Sequence, residues 1–135
     1  MDLVNFMQSL AGELEGRFSE YDENTSVIIV PLKDGRFQTV QGQINSFDDQ
    51  DTKTIAFTSK VCPYYSQMDL VEFMEENKKM VFSKFTVDNN FVKIEASMFL
   101  EFVSEANKDF LKEAICEVAE IADKWEHKLT GLDVF

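Results

Sequence analysis

The clearest pattern in the amino-acid sequence is an alternation of side chains from Phe91 to Leu100. One set of alternate positions is wholly apolar: Val92, Ile94, Ala96, Met98 and Leu100. The intervening positions hold Phe91, Lys93, Glu95, Ser97 and Phe99. Because successive side chains of a β-strand point to opposite faces, this period of two predicts a strand with one face against the core. Residues 88–90 are Asp-Asn-Asn, which favours a turn, and residues 80–87 are expected to form the strand before it.

Three further strands are predicted in the first half of the chain. A β-branched run at residues 27–30 predicts a strand that ends at Pro31, because proline cannot donate to a sheet ladder. Asp34-Gly35 is a strong hairpin signal, so residues 36–44 are interpreted as the return strand. Alternation over residues 53–62 predicts the third strand of a meander.

Helical spacing of apolar residues predicts three helices. The first covers residues 3–15, and a polar stretch at residues 19–25 follows it. The second opens with a capping pattern at residues 66–69 and runs to about residue 79. The last ends near Thr130, and its apolar stripe consists of Leu111, Ile115, Val118, Ala122, Trp125 and Leu129. Gly131 suits the position after its end.

The predicted order is helix, three strands, helix, two strands, helix. Short connections between consecutive strands make those pairs antiparallel. The sequence therefore predicts an α+β fold of order α-β-β-β-α-β-β-α, with one antiparallel sheet and helices packed on it. A length of 135 residues fits a single domain over residues 1–135.

The charge of the chain limits its partners. Thirteen Lys and Arg face 25 Asp and Glu, which gives a formal net charge of −12. Such a surface repels phosphate backbones and anionic lipid headgroups, so no nucleic-acid and no membrane partner is expected. The first residues lack a basic segment followed by an apolar one, and no long apolar run follows, so a cytoplasmic location is expected.

Residues suited to catalysis or metal binding are scarce. His127 is the one histidine, and its place near the end of the last helix, one turn after Asp123, is explained by the helix dipole. Cys62 and Cys116 are interpreted as reduced, buried thiols. Three Cys and His residues cannot supply the four ligands of a structural zinc site. No catalytic residue, metal or cofactor is predicted, and the protein is not expected to be an enzyme.

Paired carboxylates are the remaining catalytic candidates. Hydrolases use two carboxylates, and Glu113 and Glu117 lie one turn apart. In so acidic a chain such pairs arise by chance, and these are interpreted as solvated helix faces. An enzyme of another kind would need a cleft that gathers titratable groups with perturbed pKa values.

Aromatic residues give the sequence its one binding feature. The chain has thirteen Phe, and Phe91 and Phe99 fall on the face of their strand opposite the apolar positions. If helices cover only one sheet face, apolar surface stays exposed, and exposed apolar patches mark interaction sites. The alternative is a sheet covered on both faces, with these residues in the core.

The order of elements resembles the type III secretion chaperone-like fold, and in particular the YbjN-like bacterial proteins. The resemblance runs from about Leu3 to Leu129. It is supported by residues 69–74 in the middle helix, the turn at residues 88–90, and residues 118–125 in the last helix. It implies a small, acidic, cytoplasmic homodimer. Secretion chaperones hold an unfolded stretch of an effector against apolar surface, and a regulatory role has been proposed for YbjN-like proteins.

The resemblance also implies site residues. In the secretion chaperones the middle helix takes part in dimerisation, which corresponds here to Leu70, Phe73 and Met74. Their first helix lies near the effector-binding surface, which corresponds here to Leu3, Phe6 and Met7.

Two functions are therefore expected. The first is a non-enzymatic, chaperone-like protein-binding module that acts as a homodimer and takes a protein or peptide segment as its partner. The alternative is a regulatory or sensory domain that binds a small ligand or a signalling protein. A deep, closed pocket would favour the alternative, and an open, shallow groove would favour peptide binding.

Overall fold

One antiparallel sheet of six strands forms the centre of the molecule. The structure, a computed structural model, describes residues 3–46, 51–131 and 135. Its helices and strands are α1 (Leu3–Glu13), β1 (Arg17–Asp22), β2 (Thr25–Pro31), β3 (Phe37–Ser46), β4 (Lys53–Pro63), α2 (Leu70–Glu76), β5 (Lys84–Asp88), β6 (Phe91–Phe99) and α3 (Lys108–Thr130). The predicted α+β class and the single antiparallel sheet are confirmed.

The strands lie in the order β1-β2-β3-β4-β6-β5, so β1 and β5 are the edges. Every neighbouring pair is antiparallel. The chain leaves the sheet after β4, forms α2, and returns as β5 at the far edge. β6 then fills the place between β5 and β4.

Strand β1 is absent from the predicted order, which had three strands before the middle helix. Arg17–Asp22 lies within and beside the stretch interpreted as polar, and it pairs with β2 from Arg17 opposite Ile29 to Asp22 opposite Thr25. Only Phe18 among its residues is partly buried. An edge strand with one such residue has no apolar alternation, so its sequence carries no strand signal.

The segment before β5 is the second departure from prediction. Residues 80–87 were expected to be extended throughout, but the strand begins at Lys84. The chain makes a turn of 3-10 helix at Asn77–Lys79 and an irregular passage over residues 80–83. The capping pattern predicted at residues 66–69 is wrong in its position, because it made Ser66 the N-cap; the N-cap of α2 is Asp69, whose side chain accepts a hydrogen bond of 3.1 Å from the Glu72 N–H.

All three helices cover the same face of the sheet. α1 lies over β1 and β2, α3 lies over β3, β4 and β6, and α2 lies over β5. The inward side chains of neighbouring strands meet in register: Ile28 is opposite Val40, and Phe57 is opposite Ala96. These residues are buried and join the helices in one core.

The other face of the sheet carries polar side chains, and none of the helices α1 to α3 covers it. Its central positions include Thr39, Gln41, Thr58, Lys93 and Glu95, all only partly buried. The aromatic residues predicted there are partly exposed, with Phe99 at 59% exposure. The expectation that covering one face leaves apolar side chains accessible is confirmed for this residue.

Candidate protein-binding surfaces

The inward side of α2 is part of the core. Phe73 is 5% exposed, and its ring stacks on Phe85 with centroids 4.5 Å apart. The Trp125 ring system lies nearly perpendicular to both phenylalanine rings, with centroids 5.7 Å from Phe73 and 5.3 Å from Phe85. Phe73 was predicted as a dimer contact, but in this fold its side chain anchors α2 to β5 and α3.

One flank of α2, unlike its inward side, is apolar and exposed to solvent. Leu70, Val71 and Met74 are 40%, 63% and 69% exposed. Glu72, on the other flank, forms an ion pair with Lys128 of α3 at 3.6 Å. Because Phe73 faces the sheet and Glu72 faces α3, the apolar flank faces away from α3, toward the β5 edge.

Two of the three predicted dimer residues, Leu70 and Met74, therefore lie on accessible apolar surface. Val71 was missed, although a seven-residue helix with four apolar residues cannot bury them all on one side. The role of this flank in dimerisation stays a prediction. We call Leu70, Val71 and Met74 the α2 flank.

The predicted partner-binding residues of α1 divide in the same way. Phe6 and Met7 are 4% and 1% exposed and belong to the core. Met7 packs over Gly42, where a Cβ would stand 3.4 Å from its methyl carbon and 3.2 Å from the Phe57 ring. Leu3 is partly buried and lines a surface cavity. Of these three side chains, only Leu3 has surface to offer a partner.

That cavity lies where β4 begins and β6 ends. Its volume is about 660 Å³. Its apolar lining comes from Leu3, Phe99, Leu100 and Val103. A second cavity of about 480 Å³ shares Phe99 and adds Thr54, Ser97, Met98 and Phe102. We call the two together the Phe99 groove.

The groove is open to solvent and bears both charge signs. The charged residues on its walls, among those the structure describes, are Asp51, Glu101 and Lys53. Phe99 and Phe102 are 59% and 39% exposed, so aromatic rings form accessible parts of its surface. The arrangement can bury apolar side chains of a partner beside a small excess of negative charge.

Glu117 corrects the interpretation of the carboxylate pairs as solvated. Its carboxylate accepts hydrogen bonds from the N–H groups of Val81, Phe82 and Ser83 at 2.8–3.0 Å, and from Ser83 Oγ. Burial raises the pKa of a carboxyl group, but these hydrogen bonds outweigh it and hold the pKa of Glu117 below its usual value. Glu117 thereby fixes the irregular segment before β5.

Asp123 is a second carboxylate with a structural partner. It lies one turn before His127 in the sequence, and its side chain is 4% exposed and binds Arg36. Arg36 Nε donates to both carboxylate oxygens at 3.2 and 3.0 Å, and its Nη2 lies 3.0 Å from Oδ2. His127 is exposed, and its carbonyl accepts the Gly131 N–H at the end of α3.

Both cysteines are free thiols, Cys62 buried and Cys116 partly buried. Burial raises the pKa of each, and the Glu126 carboxylate adds to the shift at Cys62. A raised pKa lowers the thiolate fraction, which is the nucleophilic form. This environment suits structural thiols.

Across residues 3–46, 51–131 and 135, no cluster of three His, Cys, Asp or Glu side chains is arranged to hold a metal ion. None of the helices in that part of the chain combines the length and the apolar character that crossing a membrane requires. Comparisons of the sequence with protein-family models and with curated proteins found no match.

Proposed function

We propose that the protein is a non-enzymatic binding module, chaperone-like and homodimeric, that holds a segment of another protein in the Phe99 groove. The observation that carries the proposal is the placement of accessible apolar side chains. Of the twelve large apolar side chains exposed among the described residues, three form the α2 flank and two, Phe99 and Phe102, line the Phe99 groove. Exposed apolar patches of this kind mark interaction surfaces.

The shape of the Phe99 groove supports a peptide partner. A volume of about 660 Å³ falls in the range of small-molecule sites, which gives the alternative of a ligand-binding regulatory domain its support. The main cavity, however, is open to solvent, and the second cavity shares Phe99 with it. An open groove suits an extended or helical segment, whereas a small ligand is bound in a pocket that encloses most of its surface.

The charges indicate the chemistry of the segment. Among the described residues, two carboxylates and one ammonium line the main cavity, and the whole chain carries −12. We expect a segment with apolar residues flanked by Lys or Arg, since complementary charge speeds encounter and rejects acidic competitors.

The proposal includes a cytoplasmic location. Its support is the pair of free thiols, because reducing compartments keep such cysteines unpaired. The dimer is assigned to the α2 flank, with Phe73 as the core residue that holds the helix in place.

A direct test uses labelled peptides whose apolar residues recur every three or four positions and alternate with lysines. Fluorescence anisotropy should show binding, and Phe99→Asp should weaken it at least about tenfold, as removal of a central aromatic contact does. Phe110→Asp is the matched control, because Phe110 is 55% exposed on α3 and outside the groove lining.

The same peptides with glutamates in place of the lysines should bind more weakly. Equal affinity for both sets would remove the charge argument. Equal loss in Phe99→Asp and Phe110→Asp, or binding by neither set, would contradict the groove as the partner site.

A further inference from the structure

The edge strand β5 has a sequence that complements itself when it is reversed. Residues 84–88 are Lys-Phe-Thr-Val-Asp, with Thr86 at the centre. Reversal about Thr86 sets Lys84 against Asp88 and Phe85 against Val87. Opposite charges and apolar pairs directly across two strands stabilise their pairing. A two-fold axis beside Thr86 produces this arrangement from two copies of one chain.

The side chains also lie on the faces that such an axis requires. Phe85 is opposite the buried Ile94 of β6, so Phe85 and Val87 face the helix side of the sheet. Lys84, Thr86 and Asp88 face the other side. Each reversed pair therefore brings together side chains from the same face.

The backbone of β5 leaves groups at the open edge. The Phe85 N–H donates to Asn77 Oδ1 at 2.6 Å, away from β6. Since the pattern alternates in antiparallel strands, the N–H and C=O groups of both Phe85 and Val87 point outward. Edge groups of this kind are templates for another strand.

Building on the proposed homodimer, we infer that the second copy pairs antiparallel along β5, with the two-fold axis beside Thr86. The two six-stranded sheets then continue as one. Val87 N–H of each copy donates to the Phe85 C=O of the other, and Lys84 faces Asp88 across the axis. The Thr86 hydroxyl is buried, has no hydrogen-bond partner among the described residues, and faces its symmetry mate in this pairing.

The α2 flank belongs to the same interface. A pair of short strands alone is marginally stable in water, so the pairing needs apolar burial beside it. α2 lies over β5, and Leu70 and Met74 face the edge across which the second copy would lie. The axis that pairs the strands therefore sets the two α2 flanks side by side.

Asn77 limits how closely the strands approach. Its amide occupies the Phe85 N–H and stands at the edge where a partner strand would lie. In the paired arrangement the partner's Val87 carbonyl needs the position that the Asn77 amide occupies, so the Asn77 side chain must turn away before the strands pair. The Phe85 N–H joins the pairing when the Asn77 side chain turns away.

Cysteine cross-linking tests the register. In this register Thr86 and its symmetry mate form a non-hydrogen-bonded antiparallel pair. The Cα atoms of such a pair lie about 4.5 Å apart, within the disulfide range of about 4.4–6.8 Å. In a background carrying Cys62→Ala and Cys116→Ser, Thr86→Cys should become a covalent dimer under copper–phenanthroline oxidation. The dimer should be the main species on a non-reducing gel.

Lys84→Cys and Asp88→Cys are the matched controls, because both side chains are over half exposed. Each alone should stay monomeric on the gel, since copies of Lys84 lie about 13 Å apart in this register. A mixture of the two should cross-link. This second pair keeps the test valid if Thr86→Cys alters folding.

Light scattering on the unoxidised proteins tests the homodimer separately from the register of the β5 pairing. A dimer mass without a Thr86→Cys cross-link, or with a cross-link in Lys84→Cys alone, overturns the β5 register and leaves the homodimer standing. A monomer mass at micromolar concentration overturns both.

Discussion

Glu117 shows how one side chain decides the path of a distant segment. It accepts four hydrogen bonds from residues 81–83, which lie 34 to 36 positions earlier in the chain. A hydrogen bond to a charged group contributes about 1.5–3 kcal/mol to the free energy of unfolding, and losing the acceptor leaves partly buried donors unsatisfied. Glu117→Ala should lower the free energy of unfolding by about 2–4 kcal/mol in urea denaturation. Glu113→Ala, exposed one turn earlier, should change it by less than about 0.5 kcal/mol.

The lowered pKa of Glu117 makes this contribution depend on pH. The usual value for a glutamate is near 4.5, and the folded state lies below it. The unfolded chain therefore binds the proton more tightly, so the stabilisation is complete above pH 4.5 and disappears as pH falls through the folded pKa. The stability difference between the wild type and Glu117→Gln should be constant near neutrality and shrink in acid. A difference that grows on acidification would contradict this assignment.

At the scale of elements, the sequence predicts best where one pattern decides the packing. β6 and α3 carry regular apolar positions, and both form as predicted. β1 is held by pairing with β2 and has too few buried side chains to produce a pattern. The apolar run Met80-Val81-Phe82 has strand composition, but the Glu117 carboxylate accepts hydrogen bonds from the N–H groups of Val81 and Phe82. A contact so far along the chain leaves no local signal.

α2 illustrates the same limit for the candidate site. Periodicity placed Leu70, Phe73 and Met74 on a helix, but it could not show that Phe73 alone points inward. Phe73→Ala should therefore lower the free energy of unfolding by about 3–5 kcal/mol, as loss of a core aromatic does. Met74→Ala should cost less than about 0.5 kcal/mol. Urea titrations of the two variants would refute this division of α2 if their midpoints shifted equally.

The α2 flank also predicts the assembly state of the protein. Val71→Asp combined with Met74→Asp places charge on the exposed flank without touching Phe73. Light scattering should show the variant at the monomer mass with unchanged circular dichroism. Tyr21→Asp, 80% exposed on β1 at the opposite edge, should stay dimeric. A dimeric flank variant would remove α2 from the interface.

At the scale of the whole molecule, charge opposes association. Each copy carries −12, so two copies repel one another, and added salt screens charges separated by more than about 10 Å at 0.1 M. The proposed interface is mainly apolar, with Lys84 facing Asp88 at its margin, and exposed ion pairs contribute little. Salt should therefore strengthen the dimer.

Sedimentation equilibrium at about 20 mM and about 300 mM sodium chloride would measure this effect, since the screening length falls severalfold over that range. The dimer dissociation constant should decrease at the higher salt concentration. Urea denaturation in the same buffers gives the control, because salt also screens repulsion within each copy and alters folding stability. A dissociation constant that rises with salt would show that ion pairs dominate the contact. The α2 flank would then be a minor part of the interface, and the Lys84–Asp88 pairs across β5 would be the first contacts to examine by charge reversal.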